Sequence, residues 1–534
     1  MALSNNNSKR AALGTGLLAL AGLVSTPVLA QDAQQIIRDR CLACHTETGS
    51  AEAPSFSRIS EQRKTPEGWL MTINRMTHLR GLELTREEKR ALVKHLADTQ
   101  GLAPEETEGY RYLLEQDTNL VENSIDQGLA ETCGRCHSEA RFALQRRTEQ
   151  EWKYLVDFHM GQFPTTELHS LARDRQWYQI ASNDTAADLG KRFPLITQEW
   201  NNWQKASKSD LMGRWRVTGF VPGKGEFDAW MTAAKTSEGH YDVTLEGLYA
   251  DGTALNGEGK ATVYTGYEWR ASLTIDGVKM RQVMAADKQG NSLEGRMFVA
   301  AEREIGGELS AVRDQGKAAV VAVQPSYLRA GEPAELTLIG QNLKGDINLG
   351  EGVVVEKVLS RADDRITVLA KATGNEGLRT VRVGQAASES ALAVYSELAR
   401  VDVTPANAVT RIGGAGGNLP KVRASYRAVG YSAGADGKPG TEDDLRLGYM
   451  PASWSIKPAD EVAAHDKDDK YAGSFNAAGI FTPGDAGLNP ERKMSANNVG
   501  RLTVVATVAD GSTQVEGEGS MLVAVQDFVR RVLD

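Results

Sequence analysis

Cysteine is scarce in this chain: 534 residues contain four, and all four fall in two short motifs, so none is left for a disulfide framework or a free nucleophile. Histidine is nearly as rare, with eight residues. Long apolar runs are missing too. One N-terminal stretch is hydrophobic and falls short of a comfortable bilayer span, which argues against membrane insertion. An excess of basic charge is also lacking, since 61 Lys and Arg face 70 Asp and Glu for a net charge of -9. That balance argues against nucleic acid and anionic membrane as partners. Nor is there a catalytic constellation. His240 and His465 have no serine or cysteine partner nearby in sequence, and no pair of carboxylates stands out for acid-base work.

What the chain does have is a motif written twice, Cys41-Leu42-Ala43-Cys44-His45 and Cys133-Gly134-Arg135-Cys136-His137. Two thiols three positions apart can each form a thioether with a haem vinyl group, and the histidine that follows lies under the porphyrin as an iron ligand. A four-thiolate zinc site would not need a histidine after each pair. A thioredoxin-like dithiol would need a βαβ setting that the flanks do not supply. The motifs therefore predict two covalently bound c-type haems, with Cys41, Cys44, Cys133 and Cys136 as attachment points and His45 and His137 as proximal ligands. Such a chain transfers electrons.

Haem c is attached outside the cytoplasm, and the N-terminus agrees. Lys9 and Arg10 precede an apolar run from Ala11 to Leu23, and Pro27-Val28-Leu29-Ala30 ends in a small residue suited to signal peptidase. The sequence predicts a signal peptide over 1–30, cleavage after Ala30 and a periplasmic mature chain.

The region 31–205 reads as helical and repeats internally, in halves of about 31–103 and 104–205. Gln34-Gln35-Ile36-Ile37 leads into the first haem motif. Thr65-Pro66-Glu67 marks an N-cap with proline in the first turn, opening a helix with Trp69, Ile73 and Met76. Thr85-Arg86-Glu87-Glu88 and Thr148-Glu149-Gln150-Glu151 read as capping boxes, the second opening a helix with Trp152, Leu155 and His159. Met76 follows Trp69 by the interval at which His159 follows Trp152. The repeat thus predicts His45/Met76 ligation at the first haem and His137/His159 at the second. His78, His95 and Met71 compete for the first distal position, and Met160 and His169 for the second. A thioether favours ferrous iron over a second imidazole, so electrons should enter at the bis-histidine haem and leave from the other.

From about residue 208 the pattern changes to strands. Tyr241-Asp242-Val243-Thr244-Leu245, Trp269-Arg270-Ala271-Ser272-Leu273 and Met297-Phe298-Val299-Ala300 alternate or run apolar, and Asp251-Gly252, Asn256-Gly257 and Asp276-Gly277 read as hairpin turns. This predicts an antiparallel barrel or sandwich over 208–315. Two immunoglobulin-like sandwiches should follow over 316–398 and 399–534, one opening at Val320-Val321-Ala322-Val323-Gln324-Pro325 and the other near Val401-Asp402-Val403-Thr404-Pro405. The fold class is a multidomain α plus all-β chain. Gly413-Gly414-Ala415-Gly416-Gly417 lacks the strand-then-helix context of a phosphate loop. The acidic stretch Asp436 to Asp444 offers oxygens to calcium but lacks the length and terminal glutamate of an EF-hand, and reads as a solvated turn.

This order of a signal peptide, two haem motifs and three β domains resembles the α subunit of quinohaemoprotein amine dehydrogenase. The pattern around Trp69 to Met76 and Trp152 to His159 carries the specific part of the likeness. The resemblance implies a heterotrimer with a propeller β subunit and a small γ subunit bearing cysteine tryptophylquinone, where primary amines become aldehyde and ammonia. Electrons would pass from the quinone to the haems, then to a blue copper protein or small cytochrome c. It likewise implies one His/Met and one bis-His haem, and places no catalytic residue on this chain. Two readings compete: a dihaem subunit of another dehydrogenase, and a haem sensor whose immunoglobulin-like modules bind a partner.

Overall fold

A computed structural model describes residues 32–50, 52–123, 125–167, 174–415, 419–492 and 497–526. The leader 1–30, His169, Gly416 and Gly417 lie outside the described residues. The chain opens with a helical region and continues as an eight-stranded closed barrel and two units of packed sheets, as the alternation of patterns predicts.

In the helical region the caps form where the sequence places them. The Thr65 side chain accepts from the Gly68 amide at 3.3 Å, with Pro66 in the first turn of Pro66–Arg80. Thr85 and Glu88 exchange both bonds of a capping box, at 3.1 and 2.8 Å. Thr148 accepts from the Glu151 amide at 3.2 Å, but the Glu151 carboxylate does not return to the cap. It is fully buried and held instead by Arg58 at 2.6 Å, so that expected box is half formed. The Thr148 amide does not need the carboxylate, because it donates to the Glu61 carbonyl at 3.3 Å.

Two short ribbons depart from the helical expectation: Glu47–Gly49 pairs antiparallel with Pro54–Phe56 after the first haem motif, and a second ribbon joins the two halves. Gln62–Lys64 pairs antiparallel with Gln145–Arg147, with Arg63 opposite Arg146. Each strand precedes a threonine cap and its tryptophan helix, so the ribbon runs between matching points of the two half-repeats. Glu106 lies at this junction. Its carboxylate bonds Arg63 at 2.9 and 3.0 Å and Arg146 at 2.9 Å, and all three side chains are buried. Burial pushes the Glu106 carboxyl up, but the two guanidinium groups outweigh it and hold it below the usual carboxylate range.

The barrel runs from Gly213–Val221 to Glu302–Arg313 as an up-and-down meander closed by pairing of those two strands. Its interior is packed with large side chains, Trp215, Phe227, Met231, Trp269 and Met284 among them, so it is a core and not a ligand cavity. Asp276 and Gly277 form a turn with positive φ at both residues (48° and 82°). Asn256-Gly257 does not turn: it sits inside Ala254–Tyr264, where Gly257 lets the Ile275 side chain approach to 2.8 Å of a Cβ position.

The third unit packs two four-stranded sheets, and the fourth unit carries sheets of three, four and three strands. In each an early strand pairs in parallel with the last, Tyr327–Arg329 with Ala386–Tyr395 and Asn407–Arg411 with Thr513–Ala524. Pro325 and Pro405, which cannot donate to a ladder, stand where the chain crosses from one sheet to the other.

Removing the carboxylate between two buried arginines leaves both charges unmatched. Glu106→Gln should destabilise the helical region by roughly 3–5 kcal/mol, read as an earlier midpoint in guanidinium unfolding of the haem-loaded chain. Because the Glu106 carboxyl lies low, its contribution is present above the unfolded value, about 4.3, and is lost as pH falls through the lower folded value. Acid unfolding should therefore be less steep in the variant, and an unchanged acid limb would show that Glu106 does not hold the junction.

Candidate functional site

Each haem motif sits at the end of a capped helix. Asp32 accepts from the Gln34 amide at 3.0 Å and starts Ala33–Cys41, which delivers Cys41. The chain then turns back, with the Cys44 and His45 amides both donating to the Cys41 carbonyl at 3.1 and 2.9 Å. Asp126 caps Gln127–Thr132 in the same way, and Cys133 follows. The first cysteine of each pair packs against the apolar core of its own half, while Cys44 and Cys136 are exposed. Burial pushes the Cys41 thiol up and the Cys133 thiol to about 11. That is opposite to the lowered thiol of a redox dithiol. Among the described residues no three His, Cys, Asp or Glu side chains converge as a metal site, so the two cysteine pairs do not meet as a zinc knot would require.

Three imidazoles share one arrangement. His45 Nδ1 lies 2.7 Å from the Ser57 carbonyl, His137 Nδ1 3.2 Å from the Ser138 carbonyl and His159 Nδ1 2.7 Å from the Leu155 carbonyl. A carbonyl only accepts, so the proton sits on Nδ1 and Nε2 keeps its lone pair. The His137 and His159 rings lie close together, with centroids 6.5 Å apart and planes tilted 38° from parallel. Phe142 and Trp177 border the pair. Burial is the main cause holding His159 below its ordinary value, with the guanidinium groups of Arg75, Arg147 and Arg141 adding to it. A neutral imidazole is the form that binds metal.

The other candidates are scattered. Met76 is half-buried near the end of Pro66–Arg80, where its carbonyl accepts from the Gly81 amide in the helix cap. His78 is exposed on the same helix. His95 is half-buried on Arg86–Thr99 and held low by burial. The Met71 sulfur accepts from Arg75 at 3.1 Å and Arg141 at 3.4 Å, and Met160 packs against the core of the second half.

A set of cations between the halves was not anticipated. Lys64 is buried, donates to Thr72 at 2.6 Å and stands over Trp69. Arg147, its counterpart in the repeat, stands over Trp152. Burial first, and then Arg147 and Arg75 nearby, holds the Lys64 ammonium well below its ordinary value. The signal available in the sequence was the tryptophan register, which sets Lys64 against Arg147 and Arg75 against Phe158.

Comparison with known families decides the relationship. "Quinohemoprotein amine dehydrogenase A, alpha subunit, haem binding" matches residues 31–200. The descriptions of domains II, III and IV of the same α subunit match 208–314, 317–396 and 401–533 in that order. The chain belongs to the α subunit family of quinohaemoprotein amine dehydrogenase. No curated protein matches it. Among solved structures, a redesigned β-barrel, mFAP1, bound to DFHBI is 21% identical over 20% of this chain and 94% of that one, with a TM-score of 0.18. The mouse clustered protocadherin PcdhgC3 EC1-3 is 11% identical over 44% and 76%, with a TM-score of 0.17. Likenesses this slight carry no argument.

For this α subunit the nearness of His137 and His159 separates the distal candidates by experiment. His159→Ala should turn one low-spin ferric haem signal high-spin in absorption and paramagnetic resonance spectra, whereas His78→Ala and His95→Ala leave the spectra unchanged. A silent His159→Ala would remove that residue as a ligand.

Proposed function

We propose that this chain is the dihaem electron-transfer subunit of a periplasmic amine dehydrogenase. In this reading primary amines are oxidised to aldehyde and ammonia at a cysteine tryptophylquinone held by a small partner subunit, with a propeller subunit completing a heterotrimer. Electrons leave through this chain to a blue copper protein or a small cytochrome c. The haems, when bound, supply one-electron couples that divide a two-electron oxidation.

The observation that carries the reading is the His137 and His159 pair. Metal–imidazole bonds of about 2 Å on each side put two ring centroids roughly 6 Å apart, and the observed 6.5 Å fits one iron between them. The Nδ1 bonds to backbone carbonyls hold each ring and leave Nε2 as the nitrogen that would bind the iron. His45 has the same support from Ser57, and Met76 occupies on Pro66–Arg80 the position that His159 occupies on Glu149–Gln162. The thiols would hold the haems: Cys41 and Cys133 at the edge of each core, Cys44 and Cys136 on the outer side. The β domains act as scaffold for the other subunits.

Anaerobic haem spectroscopy of the complex from its native source tests the function. Butylamine should reduce the haems; intact, reducible haems that ignore the amine would point to another donor. Met76→His tests the assignment at the first haem. It should lower one potential by more than 59 mV, a factor of ten in the one-electron equilibrium, and an unchanged redox titration would exclude Met76.

A further inference from the structure

The residues before the two proposed distal ligands touch each other. Arg75 precedes Met76 and Phe158 precedes His159, and both lie at the same interval from the tryptophan of their half. The Arg75 guanidinium carbon stands 5.0 Å from the centre of the Phe158 ring, within the range of a cation–π contact. Its Nη2 donates to the Met71 sulfur one turn back, where Arg141 also donates. The guanidinium is thus drawn across from Pro66–Arg80 onto Glu149–Gln162, and one charge is held where the two ligand helices meet.

We propose that Arg75 is a positioning residue shared by the two haem sites, its stacked guanidinium raising both potentials and fixing the two distal-ligand helices against each other. The inference rests on the proposed ligation. A nearby cation favours the ferrous state, because reduction removes one positive charge from the iron centre. Phe158 in turn packs edge-on against the His159 ring, with centroids 6.2 Å apart, so the charge stands one ring away from the second site. Its place next to Met76 in the chain puts it beside the first.

The test is a mediated redox titration of the haem-loaded complex, in which dithionite supplies one electron to each ferric iron. Arg75→Met should shift both ferric/ferrous equilibria toward ferric by three- to tenfold, tenfold being 59 mV. Arg75→Lys, which keeps the charge, should restore most of that shift. A change at one haem alone, or at neither, overturns the sharing. If Arg75→Met does not load haem, Phe158→Leu carries the test, since it frees the guanidinium without removing it. The separation between the two potentials should then change at least threefold in equilibrium terms, and an unchanged separation overturns the proposal. Fewer than two haems per wild-type chain, or ferric spectra without one thioether-ligated and one bis-imidazole centre, would sink the ligation instead. That failure is distinct from a correctly ligated protein indifferent to Arg75.

Discussion

The helical region is organised by one carboxylate between two guanidinium groups. Glu106 receives Arg63 and Arg146, which also donate to their surroundings: Arg63 to the Gly101 and Leu195 carbonyls and the Thr197 hydroxyl, Arg146 to the Ala143 and Gln145 carbonyls. This triad ties the linker after the first half, the end of the second half and the ribbon between them to a single point. From that point each strand runs directly into a threonine cap, a buried tryptophan and a proposed distal ligand. Trp69 Nε1 donates to the Gln100 carbonyl and Trp152 Nε1 to the Phe193 carbonyl, at 3.0 and 3.2 Å, so the helices are also fixed about their own axes. A shift of the ribbon by one residue would turn every side chain on it over and strand Glu106 in the core without its partners.

The same device recurs at other joints between units. Glu268 in the barrel wall is fully buried between Arg111 of the helical region and Arg270, which also reaches Glu67. Asp228 of the barrel lies between its neighbour Arg216 and Arg365 of the third unit. Asp510 of the fourth unit meets Arg329 and Tyr395 of the third, along with the Leu398 amide. Buried pairs of this kind add little net stability over apolar packing, but breaking one is costly. Their effect is on register, because a misplaced joint would leave a carboxylate dry and unmatched. In a chain whose four thiols all lie in the haem motifs, they fix the relative placement of the units without a disulfide.

Much of this was legible in the sequence because it rests on local chemistry. Threonine caps, the proline after Thr65 and the doubled motif act within a few residues, and the alternation along Tyr241 to Leu245 reports a strand whose inner face is buried. The ribbon was not legible. Gln62-Arg63-Lys64 and Gln145-Arg146-Arg147 are too short and too charged to show a period, and their arginines are buried because Glu106 arrives from elsewhere in the chain and Glu151 from the first turn of the helix that follows. Asn256-Gly257 was misread for a related reason: the glycine is needed for close packing against Ile275, and nothing local separates that use from a turn. At the site, spacing pointed to the proximal histidines and the tryptophan register to His159. The Arg75–Phe158 contact stayed hidden because a cation and an aromatic ring at equivalent positions do not look like a repeat.

The two halves share a frame and differ where it bears on the irons. Gly68 in one is Glu151 in the other, Lys64 is Arg147, Arg75 is Phe158 and Met76 is His159. In the proposed ligation the thioether favours ferrous iron at the first site, which alone would separate the potentials widely. Charge acts beside the ligands: Arg75 favours ferrous iron at both sites, and other cations add to it at the second. Burial and then the guanidinium groups of Arg75, Arg147 and Arg141 depress His159, and the same charges favour ferrous iron at the second site. Glu151, held by Arg58 and Arg147, offsets part of this. Ligand identity and local charge therefore pull the second potential in opposite directions. The balance suits a carrier that must accept electrons readily at one haem and still release them from the other, since a large drop between the two would trap the electron at the first site to be reduced.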